Sequence, residues 1–458
     1  MTMNFKTAIN INSQLKSIYQ MLNIKTSMGR DMLFNSEFIC DENSLNKTYQ
    51  LIESCQNFLD KQSSKDIHNL ECVLYDIHNI TNSIMMIDNN KVLDDVGLFE
   101  VKAFCLNCKK LKFILRDLID KEFVLDDFQE IITLLDPEGL EVKQFYVYSL
   151  YNKELSEKRK IFEQYKLNDN PDTDKIYNEL MEIENNVREM LCKKIKPFKD
   201  KILKAINTVA LLDVSIAKGE LNKLLNLTKP TINKSLSISY TKVFNPIVKQ
   251  ALNKNGKDFQ AIDINLDSTT SLITGANMAG KTVILKTLAL CQYMIQFGFF
   301  VPCEKCCVCL VNEVLTSIGD NQNENEGLSS FASEILNLND IVKKVKTKQT
   351  YLVLVDELAR TTNPIEGVRL LNGFIKTLSM GCSLNVITTH YSDIKVKCRR
   401  LRVKGFNKEN ISCTIDIKNL SDYIDYSLIE DTTNTTPNEA LNLCKILGID
   451  SCWLNNCN

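Results

Sequence analysis

The sequence predicts a mixed fold, with an all-α region over residues 1–228 and an α/β domain over residues 229–458. Three observations carry this expectation. Glycine and proline are scarce, at 15 and 8 of 458 residues, where ordinary usage is about 7% and about 5%. With 44% hydrophobic residues, that scarcity favours long helices over a sandwich or barrel. Apolar residues in the first half recur at helical spacing, whereas from about residue 230 short apolar runs alternate with helical patterns. Alternation of that kind is the mark of a sheet with crossover helices. The length allows roughly two to four domains of ordinary size. Charged residues make up 24% with a net charge of −2. That composition argues against a disordered chain and against nucleic-acid binding by bulk charge.

Leu45, Tyr49, Ile52, Cys55 and Leu59 fall at i, i+3/i+4 spacing and predict one amphipathic helix. Glu157 to Lys166 and Thr173 to Met190 predict two more. Asn168-Asp169-Asn170-Pro171-Asp172 between them reads as a turn, giving a short helical hairpin near 157–190. A further helix is expected from Pro197 to Leu225, carrying Ala210-Leu211-Leu212-Asp213-Val214. Lys229-Pro230 marks the junction. Beyond it, Thr270 to Thr274 predicts a strand followed by a helix from Lys281. Tyr351 to Val355 and Asn385 to Thr388 predict further strands. The start of the chain has no apolar stretch of signal-peptide length, and no window approaches the ~18 apolar residues of a membrane span. A cytoplasmic protein is expected, its 17 Cys mostly reduced.

Gly275-Ala276-Asn277-Met278-Ala279-Gly280-Lys281-Thr282 fits G-x-x-x-x-G-K-S/T, with a strand before it and a helix after it. Glycines let backbone N–H groups close around a phosphate at a helix N-terminus. Lys281 supplies a cation to the β and γ phosphates, and Thr282 a hydroxyl to Mg²⁺. Tyr351-Leu352-Val353-Leu354-Val355-Asp356-Glu357 reads as a buried strand ending in two carboxylates, at the edge where α/β sheets bind ligands. Asp356 would hold the metal, and Glu357 would orient the attacking water. His390 follows another apolar run. It could donate to a γ-phosphate or satisfy backbone groups at a strand end.

These motifs, in this order, resemble the ABC-type ATPase domain of the MutS family. Thr274 to Thr282 is similar to the family's T-G-P-N-M-G-G-K-S/T, and Phe300-Val301-Pro302-Cys303-Glu304 to its F-V-P-A-E. Gly327 to Glu334 resembles G-x-S-S/T-F-x-x-E. Asp356-Glu357-Leu358-Ala359-Arg360-Thr361-Thr362 followed by Glu366-Gly367 resembles D-E-I/L-G-R-G-T with a trailing D/E-G. Thr389-His390-Tyr391 matches T-H-Y/F. More loosely, Ala210 to Ile216 resembles the helix leading into the family's ATPase domain, and Thr26 to Arg30 the start of its helical lever.

The resemblance implies a P-loop ATPase with ATP and Mg²⁺ as cofactors. It gives Gly275, Asn277, Met278, Gly280, Lys281, Thr282 and Val283 as the nucleotide cradle. Phe259 would stack on adenine, and Thr282 and Asp356 would hold the metal. Glu357, Lys281 and His390 would be the catalytic set. In the family two ATPase domains pair, so Ser329 would reach the partner's γ-phosphate, and the partner would be a second copy or a paralogue. The departures are specific. Residue 1 lies close to the lever, so the mismatch-recognition and connector parts are not expected. The hairpin closes at Asn168 to Asp172, where the family carries a DNA clamp. Ala276, Ala279, Ala359 and Thr361 replace small or special residues of the motifs.

With Asp136-Pro137-Glu138-Gly139, these departures resemble two clampless branches. One suppresses recombination. The other is the MutS-like ATPase associated with lysine 5,6-aminomutase, a reactivase of an adenosylcobalamin enzyme. The expectation drawn from them is ATP-driven dimerisation doing work on a protein client. The alternative is a DNA-binding ATPase of repair or recombination. Two further features were weighed. Cys303, Cys306, Cys307 and Cys309, with Cys105 and Cys108, could suggest zinc, but partly buried strand residues account for the cluster better. Lys395, Lys397, Arg399, Arg400, Arg402 and Lys404 read as a solvated strand face, and DNA would find its cations at Lys193 to Lys204 or at the hairpin tip.

Overall fold

The computed structural model describes all residues except 1–2, 119, 268, 276–278, 320–329, 348, 361, 393, 407–422, 432–443, 445–448 and 456–458, and the side chains of 330, 451 and 455. The chain forms two compact units. One comprises residues 22–36 and 50–220, the other residues 1–21, 37–49 and 221–458.

The first unit is helical. Its segments are α3 (Ser27–Asn35), α4 (Glu42–Leu59, from residue 50), α5 (Ser64–Tyr75), α6 (Thr81–Asp88), α7 (Asp95–Ile114), α8 (Gln129–Leu135), α9 (Lys153–Leu167), α10 (Thr173–Ile195) and α11 (Lys199–Leu225, to residue 220). Helix α7 is its axle, with Leu98, Val101, Phe104, Cys105, Cys108 and Leu111 all buried. Asp94 caps its start by accepting from the Gly97 N–H at 2.8 Å. Lys102, also buried on α7, pairs with Asp136 at 3.1 Å, and both side chains are 1% exposed. Its ammonium also donates to the Gln144 carbonyl at 3.0 Å, so this cation holds residues 136–148 onto α7.

Helices α9 and α10 are joined by a short turn around 168–172. Thr173 Oγ1 donates to the Asn170 carbonyl, and the Asp172 N–H donates to Asn170 Oδ1 at 2.9 Å. The arm is polar. Arg159 reaches Glu184 at 2.6 Å, and Leu155 is the buried residue of α9.

The segment Lys25-Thr26 is tied to α11 by Asp213, which is fully buried. Its carboxylate accepts from the Lys25 N–H at 3.1 Å, the Thr26 N–H at 2.7 Å and the Thr26 hydroxyl at 2.7 Å. Lys218 is buried on the same helix, and burial pushes its ammonium from the ordinary 10.5 down to about 7. The folded chain then binds fewer protons there than the unfolded chain, so stability rises as pH climbs from about 7 towards about 10. Lys218→Met is expected to flatten that rise, because it removes the titrating ammonium. Urea unfolding at pH 7 and at pH 9.5 checks this.

The second unit contains two sheets. The smaller has the order β1-β5-β2-β3, from β1 (Thr231–Ile232), β2 (Ile238–Val243), β3 (Ile262–Leu266) and β5 (Lys305–Val308). The larger has the order β10-β9-β4-β8-β7-β6, from β4 (Thr270–Thr274), β6 (Glu313–Ser317), β7 (Tyr351–Asp356), β8 (Ser383–Thr388), β9 (Arg399–Phe406) and β10 (Ile424–Glu430). Its strands run parallel except β10, which closes the edge antiparallel to β9. Strands β4, β7 and β8 are almost wholly buried, as a sheet covered on both faces requires, and β7 is apolar up to Asp356. Helix α13 (Lys281–Gln296) packs against β6, β7 and β8, while α14 (Ser330–Val345) packs with α15 (Pro364–Leu378). The unit also includes α1 (Phe5–Ile11), α2 (Ser13–Gln20) and α12 (Pro246–Lys254).

The α/β unit takes up the chain from residue 221 where 229 was expected, and it also takes in segments of the amino-terminal half. Residues 1–21 and 37–49 belong with the α/β unit. The reason is an aromatic cluster at the end of α13. Phe5 meets Phe297 edge-on at 5.1 Å and stacks on Phe299 at 5.9 Å, and Phe38 meets Phe297 at 5.4 Å. The Tyr49 hydroxyl donates to the Ile295 carbonyl at 3.1 Å. Such pairs add roughly 0.5–1.5 kcal/mol each beyond their burial, and they tie the amino-terminal segments to the α/β unit.

Candidate functional site

The register of the large sheet builds the site. Ile273 of β4 lies beside Thr388 of β8, and Thr388 lies beside Asp356 of β7. Three motifs far apart in sequence therefore end side by side at the carboxyl edge of one parallel sheet. Gly275 (φ +146°) and Gly280 (φ +76°) bound the phosphate loop in backbone conformations that favour glycine. Ala276, Asn277 and Met278 lie outside the described residues, as does Ser329.

Lys281 opens α13 and is 5% exposed. Its ammonium donates to the Gly275 carbonyl at 2.8 Å and stands 3.6 Å from Glu357 Oε1. Thr282 Oγ1 donates to Asp356 Oδ2 at 2.6 Å, and Asp356 Oδ1 accepts from the Thr388 hydroxyl. The Glu357 N–H is shared by the Thr388 carbonyl at 3.2 Å and the Thr388 hydroxyl at 3.1 Å. His390 Nδ1 is 4.0 Å from Glu357 Oε2, and its side chain is 43% exposed. Lys281, Thr282, Asp356, Glu357 and His390 thus converge. Thr388, which fixes both acidic residues, was not singled out from the sequence. Its only sequence signal is its place at a strand end.

A cavity of about 640 Å³ adjoins the phosphate loop. Phe259, Gly280, Val283, Ile262, Val248 and Tyr426 are among its lining residues. Its size is that of a small-molecule site. Tyr426 comes from β10, and no sequence pattern points to it. It is placed by Gln260, which accepts from the Tyr426 N–H at 2.9 Å and donates to Asp425 Oδ1 at 2.8 Å and Ser427 Oγ at 3.1 Å. A side chain at Gly280 would come within 3.1 Å of the Tyr426 ring, so glycine is needed there for packing as well as for φ.

The basic run after His390 keeps Lys395, Lys397 and Lys404 exposed, and several of its cations pair within their own unit. Arg399 binds Glu430 at 2.6 Å and the Asn265 carbonyl at 2.6 Å, Lys404 binds Asp425 at 2.8 Å, and Arg400 donates to the Ile394 carbonyl. Hydrogen bonds from Lys404 and Ser427 hold the Asp425 carboxyl well below the usual carboxylate range. The run thus presents the expected solvated strand face, alternating with buried Leu401 and Val403, and acceptors on β10 and β3 engage Arg399 and Lys404 at that face. Cys303, Cys306 and Cys309 are buried, with Cys306 opposite Tyr240 in the β5–β2 pairing. The Cys303 thiol hydrogen-bonds to Cys306 and is pushed up by that bond and by burial. Cys105 and Cys108 are buried on α7. Among the described residues, no group of three or more His, Cys, Asp or Glu has the arrangement to hold a metal. Nor is any helix among them long and apolar enough to cross a membrane.

A strand, a glycine-bounded loop, a buried lysine and a strand-end carboxylate pair define the class of phosphate-loop nucleotide-binding domains. Comparison with known proteins makes the class specific, since residues 271–436 match the family model of MutS domain V. The chain is 33% identical over 242 residues to the Endonuclease MutS2 of Caldicellulosiruptor saccharolyticus, covering 52% of this chain and 29% of that one. It is 32% identical over 217 residues to that of Ligilactobacillus salivarius, covering 46% and 26%. The Caldanaerobacter subterraneus protein of the same name is 33% identical over 245 residues, covering 53% and 29%. The chain therefore spans less than a third of the length of these curated relatives. Residues 271–436 are thus similar to MutS domain V, and they carry the mixed α/β architecture around the site.

Proposed function

We propose that the chain binds ATP with Mg²⁺, hydrolyses it, and couples the cycle to pairing with a second ATPase subunit and to work on DNA. The observation that carries the ATPase reading is the meeting of Lys281, Thr282, Asp356 and Glu357 at one sheet edge. Lys281 would neutralise the β and γ phosphates. A hydroxyl and a carboxylate oxygen 2.6 Å apart suit Mg²⁺, which is usually held by one or two protein oxygens plus phosphates and water. Thr282 and Asp356 would hold the ion, which when bound neutralises charge on the transferring phosphoryl group. Glu357 would orient the water and His390 would face the γ-phosphate. Gly275, Asn277, Met278 and Gly280 would cradle the phosphates. Phe259, Val283 and Tyr426 would enclose the base, and Ser329 would act in the partner's site.

DNA is preferred to a protein client because the relatives of this chain carry the name Endonuclease MutS2. The reactivating-chaperone reading draws no support from them. Exposed cations on the helical unit suit a phosphate backbone. Lys194, Lys201 and Lys204 are exposed, and Lys201 stands 5.7 Å over the Phe198 ring. The test is ATP turnover with and without duplex and branched DNA at low and moderate salt. Turnover stimulated by DNA is expected, fading as salt rises because phosphate contacts release counterions. A Lys194→Glu/Lys201→Glu/Lys204→Glu variant should lose the stimulation and keep basal turnover. ATP turnover indifferent to DNA, with no DNA binding at low salt, would overturn the DNA reading and return the client to a protein.

A further inference from the structure

We infer that Glu334 and Tyr391 are positioning residues for Glu357, acting together as a clamp on the two peptide groups that flank the Ala359 Cα. The inference rests on the ATPase reading above and deepens it. Glu357 and Ala359 both have left-handed backbone, at φ +48° and +61°. Neither is glycine, so each conformation is unfavourable and persists only where the surroundings over-determine it. The surroundings are on view. The Ala359 N–H donates to Glu334 Oε1 at 2.8 Å, and the Ala359 carbonyl accepts from the Tyr391 hydroxyl at 2.7 Å. Upstream, Thr388 holds the Glu357 N–H. The strained tract is thus pinned at both ends, and the orientation of the Glu357 carboxylate follows from it.

Each arm of the clamp is itself supported. Glu334 sits just past the first turn of α14, and burial raises its carboxyl above the ordinary value while the Ala359 N–H pulls it back. Tyr391 is 7% exposed, and its own N–H donates to Thr389 Oγ1 at 3.0 Å. The tyrosine ring reaches Ala359 across Gly367. A methyl group at Gly367 would lie 2.3 Å from the Tyr391 hydroxyl. The sequence features that resemble family motifs without evident chemistry therefore act together: Glu334 and Tyr391 hold the backbone of Ala359, two residues beyond Glu357, and Gly367 leaves room for the Tyr391 ring.

The test compares Glu334→Ala, Tyr391→Phe and Gly367→Ala with wild type and with Glu334→Gln, whose amide oxygen still accepts from Ala359. ATP affinity is read with a fluorescent ATP analogue, turnover by phosphate release, and local opening by hydrogen exchange over residues 356–362. A small misplacement of a reacting group costs up to about 100-fold in rate. Accordingly, kcat is expected to fall roughly tenfold or more in the three disrupting variants with nucleotide affinity within threefold of wild type. Glu334→Gln should recover most of the loss, and exchange over 356–362 should quicken in the variants that lose rate. Disrupting variants turning over within twofold of wild type would overturn the clamp. So would a loss of affinity in step with kcat, which marks a general structural role. If wild type itself shows no turnover, the proposed function falls, and the exchange data still judge the clamp: unchanged protection in Glu334→Ala and Tyr391→Phe would sink it.

Discussion

Glu357→Gln is expected to bind ATP as well as wild type and to turn it over about 10²–10³-fold more slowly. The substitution keeps the side chain's size and removes its charge. Binding survives because the residues expected to grip phosphate, Lys281 and Thr282, are untouched. Affinity should if anything improve, because the Lys281 ammonium loses a neighbour 3.6 Å away that competes for it. Turnover falls because a neutral amide polarises water poorly. Lys281→Ala should behave differently. It removes the buried cation that also closes the loop onto the Gly275 carbonyl, so nucleotide affinity itself should drop at least tenfold, a loss of about 1.4 kcal/mol. Phosphate release and a fluorescent nucleotide titration separate the two outcomes. Wild-type turnover in both variants would refute the site.

Lys102→Met is expected to cost the helical unit about 3–5 kcal/mol. It leaves the Asp136 carboxylate, 1% exposed, without its cation. A buried charge deprived of its partner is far more costly than the same pair replaced together. Lys102→Met/Asp136→Leu should therefore recover a large part of the loss. Recovery should stop short of complete, because Asp136 Oδ2 also accepts from the Glu141 N–H at 2.6 Å, a donor the double variant leaves unpaired. Urea unfolding followed by helical circular dichroism measures each step. A single-variant loss below about 1 kcal/mol would mean the pair behaves as an exposed one.

The elements most legible in the sequence were those whose local signals agree. Thr270 to Thr274 and Tyr351 to Val355 are short apolar runs beside breakers, and both are strands. The turn at 168–172 combines Asn, Asp and Pro, and the helices stop on either side of it. Less legible was the fate of charged residues. Lys395 to Lys404 looks like a face for water, yet Arg399 and Lys404 also find acceptors on β10 and β3, strands brought near only by folding. The amino-terminal 21 residues read as part of the helical region for the same reason. Nothing in Phe5 announces that Phe297 and Phe299 will surround it.

For the candidate site, residue type and short-range spacing were enough to nominate Lys281, Thr282, Asp356 and Glu357. Phosphate and metal chemistry demands those groups on a loop–helix and a strand end, and such local arrangements are written in neighbouring residues. Thr388, Tyr391, Glu334, Gly367 and Tyr426 needed the folded chain. Their roles depend on distances across the sheet edge, and those distances follow from strand register and helix packing between segments tens to hundreds of residues apart.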